Sequence, residues 1–289
     1  MFAITGITGQ VGGQIATQLL AANRPVRAVL RDPAKAAPWA GRGCEIAIAT
    51  MDDAAALAAA FTGAEAVFVL LPPTFDPTPG FVEARRTIAA ISTALRAARV
   101  TRVVCLSTIG ADAEQDSLLT QLQLLEHALA DLPAAVTFLR AGWFIENIGW
   151  DIENARASGV LPSFLQPLDR RIAMVATADV ARAAAELLQD GVVGHRVVEL
   201  EGPARVSPLD LAAALGRALG REVIAQPVRR ADWESLFRAQ GMANPAPRMR
   251  MLDGFNEGWI DFEPDSASLR RGGTTAQAVV DGLVGKSGC

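Results

Sequence analysis

Short apolar runs alternate along this chain with longer stretches in which apolar residues recur every three or four positions. A strand opening at Phe2 is followed by the runs Val26–Leu30, Cys44–Ala49, Ala66–Leu71, Arg102–Leu106 and Ala135–Leu139. Between them Gln14–Ala22, Ala54–Phe61, Glu83–Ala98 and Ser117–Leu129 carry helical spacing. Strands that alternate with helices join through right-handed crossovers. The pattern therefore predicts an α/β fold, a doubly wound parallel sheet covered on both faces. Ligands on such a sheet lie beyond the C-terminal strand ends, so the residues just after each strand are the informative ones.

From Gly142 onward the pattern loosens. Ser158–Asp169 holds Pro162 and Pro167 and little periodicity. Val180–Leu188 reads as helix and His195–Leu200 as strand. Ser207 reads as the N-cap of a helix over Leu209–Leu219 that Gly220 ends. Trp233–Gln240 and Thr274–Val284 read as further helices. Met242–Met251, with Pro245 and Pro247, reads as a flexible cover loop.

The first strand runs straight into glycines: residues 2–13 are FAITGITGQVGG. Strand, glycine turn and helix together seat a dinucleotide pyrophosphate. Gly6 permits a tight reversal, Gly9 a close approach of backbone to phosphate, and Gly12 close helix–strand packing. The helix start then offers unpaired N–H groups and a positive dipole end to the anion. The candidate cofactor contacts here are Gly6, Thr8, Gly9, Gln10, Val11 and Gly12.

The end of the second strand discriminates between cofactors. An acidic residue there binds both ribose hydroxyls of NAD, whereas an arginine accommodates the 2′-phosphate of NADP. This strand ends on Arg31, with Lys35 one turn later; Asp32 belongs to an Asp-Pro turn. Two cations suit a phosphate dianion, and the expected cofactor is NADP(H) in preference to NAD(H). A solvated turn is the plain alternative. After the third strand, Asp52 is a candidate acceptor for the adenine amino group, although Asp52 or Asp53 equally suits as cap of the helix starting at Ala54. Leu71, Pro72 and Pro73, after the fourth strand, are placed to flank the cofactor ribose, and Ser107 and Thr108 follow the fifth.

Composition narrows the partners. The 289 residues are 51% hydrophobic and 20% charged, with a formal net charge of −4. No basic stretch offsets that charge, which argues against nucleic acid. No apolar run is long enough to span a bilayer. Cys44, Cys105 and Cys289 are too sparse for a disulfide framework or a metal site, and Cys105 reads as a small core residue. The start of the chain shows no basic, signal-like segment, so the expected location is cytoplasmic and reducing. The reading leaves a homodimer open.

Taken in order, Gly6-x-x-Gly9-x-x-Gly12, Arg31-Asp32-Pro33, Leu71-Pro72-Pro73, Ser107-Thr108-Ile109-Gly110 and the segment Arg140–Asn147 (RAGWFIEN) resemble the NmrA-like group of atypical short-chain dehydrogenases. That group includes NADPH-dependent quinone and triphenylmethane-dye reductases as well as redox-sensing regulators. The resemblance spans roughly residues 1–230. It implies a Rossmann-type domain, residues 1–150, and a small C-terminal α/β substrate lobe, residues 151–289, interleaved with the Rossmann core around 170–200.

One departure bears on the chemistry: the chain contains no tyrosine. Ordinary short-chain dehydrogenases use a Tyr-x-x-x-Lys pair on one helical face, the tyrosine moving the substrate proton. Mapped onto that pattern, the catalytic candidates are Ser107, Gln123 and His127, with Gln123 in the tyrosine slot and His127 in the lysine slot. A glutamine amide donates no proton as an acid. What fits is hydride transfer to an electron-poor acceptor such as a quinone, an azo dye or a triarylmethyl cation. His127 is either a proton donor or a helix histidine at the ribose or in solvent. Trp143, Phe144, Trp150 and Phe164 form an aromatic wall for a flat apolar substrate, with Asn147 and Ser163 at its polar edge; the plain reading of each ring is lobe core. The expected function is an NADPH-dependent oxidoreductase acting on a small apolar or aromatic substrate. The alternative is an NADP(H)-sensing regulator that binds a protein partner without catalysis.

Overall fold

The computed structural model describes residues 1–263 and 266–287. In chain order the elements are β1 (Phe2–Ile4), α1 (Gln10–Ala21), β2 (Val26–Leu30), α2 (Ala37–Ala40), β3 (Glu45–Ile48), α3 (Ala54–Phe61), β4 (Ala66–Leu70), α4 (Val82–Ala97), β5 (Arg102–Thr108), α5 (Thr120–Ala130), β6 (Ala135–Ala141) and β7 (Trp143–Phe144). They continue as α6 (Ile152–Ser158), β8 (Val160–Ser163), β9 (Met174–Val175), α7 (Thr177–Gln189), β10 (Arg196–Glu201), α8 (Pro208–Leu219), β11 (Ile224–Pro227), α9 (Trp233–Ala239), α10 (Ala246–Glu257), β12 (Leu269–Arg271) and α11 (Ala276–Ser287).

Eight strands form one parallel sheet in the order β12-β10-β6-β5-β4-β1-β2-β3. The order reverses between β1 and β4, which opens the ligand crevice beyond their C-terminal ends. The two faces of the sheet are covered by different helices. Ile15 and Leu19 of α1 and Val180, Leu187 and Leu188 of α7 pack with Phe2, Ile4 and Phe68. Leu57 and Phe61 of α3, Ile91 and Leu95 of α4, and Leu125 and Leu129 of α5 pack with Val67, Val69 and Val103. Strands buried on both faces explain why these runs read as continuously apolar rather than alternating.

A third core gathers the later elements, with Ile152, Leu215, Trp233, Phe237, Leu252, Phe255 and Val280 among its members. It is the smaller C-terminal lobe. Two strands from the later half, β10 and β12, nevertheless return to the main sheet. Two small parallel pairs, β7 with β9 and β8 with β11, link the lobe together.

Three expectations change. Only residues 242–245 of the segment 242–251 are loop: α10 begins at Ala246, behind Pro245 at its N-cap. Pro247 sits in the first turn, where a missing N–H leaves no hydrogen bond unmade. Met251, Leu252 and Phe255 then anchor the helix in the lobe core. The stretch 158–169 carries β8, which pairs with β11 from Val160↔Ile224 to Ser163↔Pro227. Strands β5 and β6 run two residues past their apolar runs, because the ladder continues through Ser107↔Arg140 and Thr108↔Ala141. Cys105 is fully buried, and burial raises its thiol pKa well above the ordinary value. Cys289 lies outside the described residues.

Candidate active site

The turn after β1 is held by β4. Thr5 donates its backbone N–H (3.1 Å) and its hydroxyl (3.0 Å) to the Phe68 carbonyl. Gly6 adopts φ +61°, and a Cβ there would stand 2.6 Å from Leu70 Cδ2. The chain reverses so closely that a Cβ on Gly12 would stand 2.5 Å from the Gly6 carbonyl oxygen. Gly9 is the N-cap of α1, and no side chain caps that helix. Its first N–H groups are therefore unclaimed within the helix and point beyond the strand ends, the arrangement that receives a phosphate. Thr8, Gly9 and Gln10 are exposed there, whereas Val11 and Gly12 are buried beneath them.

Arg31 directly follows β2. Its side chain is exposed and, among the described residues, makes no hydrogen bond or ion pair; the same holds for Lys35 at the end of the 3-10 turn Pro33–Lys35. Asp32 turns back to accept from the Ala34 N–H at 3.0 Å and caps that turn. Asp53 caps α3 through the N–H groups of Ala55 and Ala56. Asp52 pairs with Arg86 at 2.9 Å. The Thr50 hydroxyl, a backbone hydrogen bond and Arg86 hold its carboxyl below the usual range. Leu71 is half-buried, and Pro72 and Pro73 are exposed beyond β4.

Beyond β5 lies a charged chain that the sequence reading missed. The Ser107 hydroxyl donates to Glu126 Oε1 at 2.5 Å. Arg140 donates to the same carboxylate from Nε (3.0 Å) and Nη2 (2.7 Å), and from Nη1 to Asp112 at 2.5 Å. Burial opposes the charge of Arg140, but the hydrogen bonds and charges of Glu126 and Asp112 outweigh it and raise the guanidinium pKa. The pair is bidentate and almost closed to water, a geometry that fixes β6 against α5 and aims Ser107. Its signal was present in the Glu126-His127 pair and in Arg140 of the RAGWFIEN segment, but nothing local joins the two.

The other catalytic candidates are placed apart. Gln123 Nε2 donates to the Ala113 carbonyl at 3.2 Å. His127 is exposed on α5. The hydrogen-bond partner of Ser107 is thus Glu126, not Gln123 or His127. Thr108 is half-buried beside Ser107.

Glu146 is a second missed residue. Its Oε1 accepts from the backbone N–H (2.8 Å) and hydroxyl (2.6 Å) of Thr177, at the start of α7, where a carboxylate also meets the positive helix end. Thr177 Oγ1 also lies 3.4 Å from Gln10 Oε1, so Thr177 ties α7 to the first residue of α1.

The aromatic candidates divide. Trp143 stacks edge-on against Phe255 at 5.2 Å. Phe144 packs against the core beneath α1 and α7. Phe164 lies between Trp233 and Phe237 in the lobe core. Asn147 is half-buried. Ser163 spends its hydroxyl on Leu165, donating to the carbonyl (2.9 Å) and accepting from the N–H (3.2 Å). Trp150 is exposed and meets Phe75 edge-on at 6.1 Å.

Residues 6–191, from the glycine turn to beyond α7, match the NAD(P)H-binding family. The chain belongs to that family. This NAD(P)H-binding protein is 31% identical to quinone oxidoreductase 2 of Escherichia coli (strain K12) over 244 residues, covering 84% of this chain and 82% of that protein. It is 27% identical to the NAD(P)H azoreductase of Xenophilus azovorans over 267 residues, covering 92% and 88%. Its fold superposes with a TM-score of 0.81 on an NADPH-dependent quinone oxidoreductase from Escherichia coli complexed with NADPH, at 28% identity and covering 98% and 99% of the two chains. It is therefore a Rossmann-fold oxidoreductase related to the quinone-reducing enzymes. No helix among its described residues is long and apolar enough to cross a membrane.

Proposed function

We propose that this protein is an NADPH-dependent oxidoreductase of the NmrA-like group, passing hydride to a flat, electron-poor acceptor of the quinone or dye type. The observation that carries the cofactor choice is Arg31, a cation without a hydrogen bond or ion pair among the described residues, which follows the C-terminal end of β2 on the same strand-end side as the uncapped start of α1. The N–H groups of Gln10, Val11 and Gly12 would hold the pyrophosphate, and Arg31 with Lys35 the 2′-phosphate. Leu71, Pro72 and Pro73 would flank the ribose, with Ser107 and Thr108 at the nicotinamide end. A Cβ at Gly6 would collide with Leu70, and one at Gly12 with the Gly6 backbone, so the turn keeps this shape only with glycine at both positions. Bound NADPH supplies the hydride.

The protein's own residues supply position more than acid–base chemistry. There is no tyrosine to move a proton. Glu126 is committed to Arg140 and Ser107, and Gln123 to a backbone carbonyl. An acceptor that takes hydride without simultaneous protonation suits such a site, and solvent protonates the product. The relatives named for quinone and azo reduction support this class of acceptor.

The test is steady-state oxidation of NADPH against a panel of quinones, azo dyes and triarylmethane dyes. Turnover with at least one acceptor, faster with NADPH than with NADH, is expected. Tight NADPH binding with no turnover on any acceptor would favour a nucleotide-sensing regulator instead.

A further inference from the structure

Arg248 stands in the first turn of α10, where the helix dipole disfavours a cation and no acidic residue compensates it. Its guanidinium carbon lies 4.6 Å from the ring centroid of Phe237 and 6.0 Å from that of Phe75. Among the described residues its side chain makes one hydrogen bond, from Nη1 to Met242 Sδ at 3.8 Å, a weak acceptor. It makes no ion pair among the described residues. Burial pulls its pKa below the ordinary arginine value, and no carboxylate opposes the shift.

Two other arginines of this lobe carry counter-charges. Arg230 also lies over an aromatic ring, Trp233, yet it is held by both oxygens of Asp253. Arg205 is paired with Asp261 and Glu201. The acid in the loop next to Phe75, Asp76, is spent on the N–H groups of Ala243 and Asn244. A half-buried cation left without a counter-charge is expensive unless a ligand supplies one.

Its place in the fold is on the ligand side of the sheet. Phe75 follows Pro72-Pro73 after β4, and Trp150, on the segment after β7, meets it edge-on. Both rings are substantially exposed, 45% and 68%. The Leu118 N–H donates to the Pro247 carbonyl, and Gln121 Nε2 to the Thr74 and Leu118 carbonyls, so the entry to α5 joins the neighbours of both Arg248 and Phe75. The two carbonyl acceptors fix which end of the Gln121 amide is nitrogen. Its oxygen is buried and has no hydrogen-bond partner among the described residues.

We propose that Arg248 determines acceptor specificity: the site takes flat aromatic acceptors that carry a sulfonate or carboxylate, with the anion on the guanidinium and the ring against Phe75 and Trp150. This rests on the oxidoreductase reading and narrows its acceptor class.

The experiment uses a non-reducible probe, so that it reads binding without turnover. Naphthalene-2-sulfonate and uncharged 2-naphthol are titrated calorimetrically into the full chain with saturating NADP⁺, which occupies the phosphate-binding turn. The wild type is expected to bind the sulfonate at least about 10-fold more tightly than the naphthol. Arg248→Gln is expected to weaken sulfonate binding by about 10- to 100-fold, the range of a charged hydrogen-bonded pair, and naphthol binding by less than about threefold. Arg248→Lys should retain part of the preference. Should the glutamine variant fail to fold, the wild type still decides: sulfonate affinity must fall with added salt and naphthol affinity must not. Equal affinity for the two probes, no sulfonate binding, or equal losses on substitution would overturn the proposal. Failure of the oxidoreductase reading shows separately, as no NADPH oxidation with any acceptor, and leaves the probe comparison readable on the same protein.

Discussion

A cation without a partner is informative because a folded chain normally spends such groups. Arg27, Arg140, Arg196, Arg205 and Arg230 all have carboxylates, whereas among the described residues Arg31, like the exposed Arg96 and Arg99, has none. Replacing it therefore removes no hydrogen bond or ion pair among the described residues, which makes it a clean probe of the cofactor. Arg31→Ala should weaken NADPH binding by about 10- to 100-fold and NADH binding by less than about twofold, because only the former offers the 2′-phosphate. Calorimetry with both nucleotides checks this, and parallel losses would remove Arg31 from the phosphate site. At this scale the sequence was most legible where a role depends on immediate neighbours. Gly6 and Gly12 stand in a tight turn between β1 and α1, and Arg31 directly follows β2, as the contiguous strand, turn and helix pattern implied. Glu126 did not, because its meaning comes from Arg140 and Ser107 on two different strands.

Elements read well when their signals are local and repeated. The helix α8 is the clearest case. The Ser207 hydroxyl accepts from the Asp210 N–H at 3.1 Å, the Asp210 carboxylate accepts from the Ser207 N–H at 2.9 Å, and Gly220 closes the helix in the left-handed region. Ser207→Ala should lower unfolding stability by about 1 kcal/mol, seen as a lower denaturant midpoint with an unchanged slope. A loss below the error of the measurement would mean that water replaces the cap. Elements read poorly when they are short or punctuated. β7 and β9 are two residues each, too few for any period to show. Their existence depends on the partner strand rather than on their own composition. α10 was obscured by Pro245 and Pro247, which mark loops in most contexts but are compatible with the first turn of a helix.

Across the molecule, the C-terminal half does two jobs: it completes the sheet through β10 and β12 and builds the wall over the strand ends. Asp151 shows what this layering costs. It sits where the 3-10 segment Ile145–Asp151 hands over to α6, and burial pushes its pKa up to about 6. The folded state therefore binds this proton more tightly than the unfolded chain does. Its contribution is most favourable below the unfolded value and is lost as pH rises toward about 6. Asp151→Asn should accordingly stabilise the protein at pH 7 by about 1–2 kcal/mol, after allowance for partial exposure, with little effect near pH 4. Denaturant unfolding of both proteins across that range checks the sign. A variant less stable than wild type at neutral pH would show that the carboxylate has a charged role.

The sequence alone determined the features whose physics is local: the alternation that makes a parallel sheet, the glycine turn that opens it, the cation that follows β2, and the lack of a tyrosine acid. Only the tertiary structure decided which polar groups meet. It placed Glu126 between Ser107 and Arg140, left His127 in solvent, packed the half-buried Phe164 against the lobe core, and set Arg248 among rings with no counter-charge among the described residues. Periodicity records which face of an element is buried. It does not record which other element that face will meet, because that choice is made by packing between segments far apart in the chain.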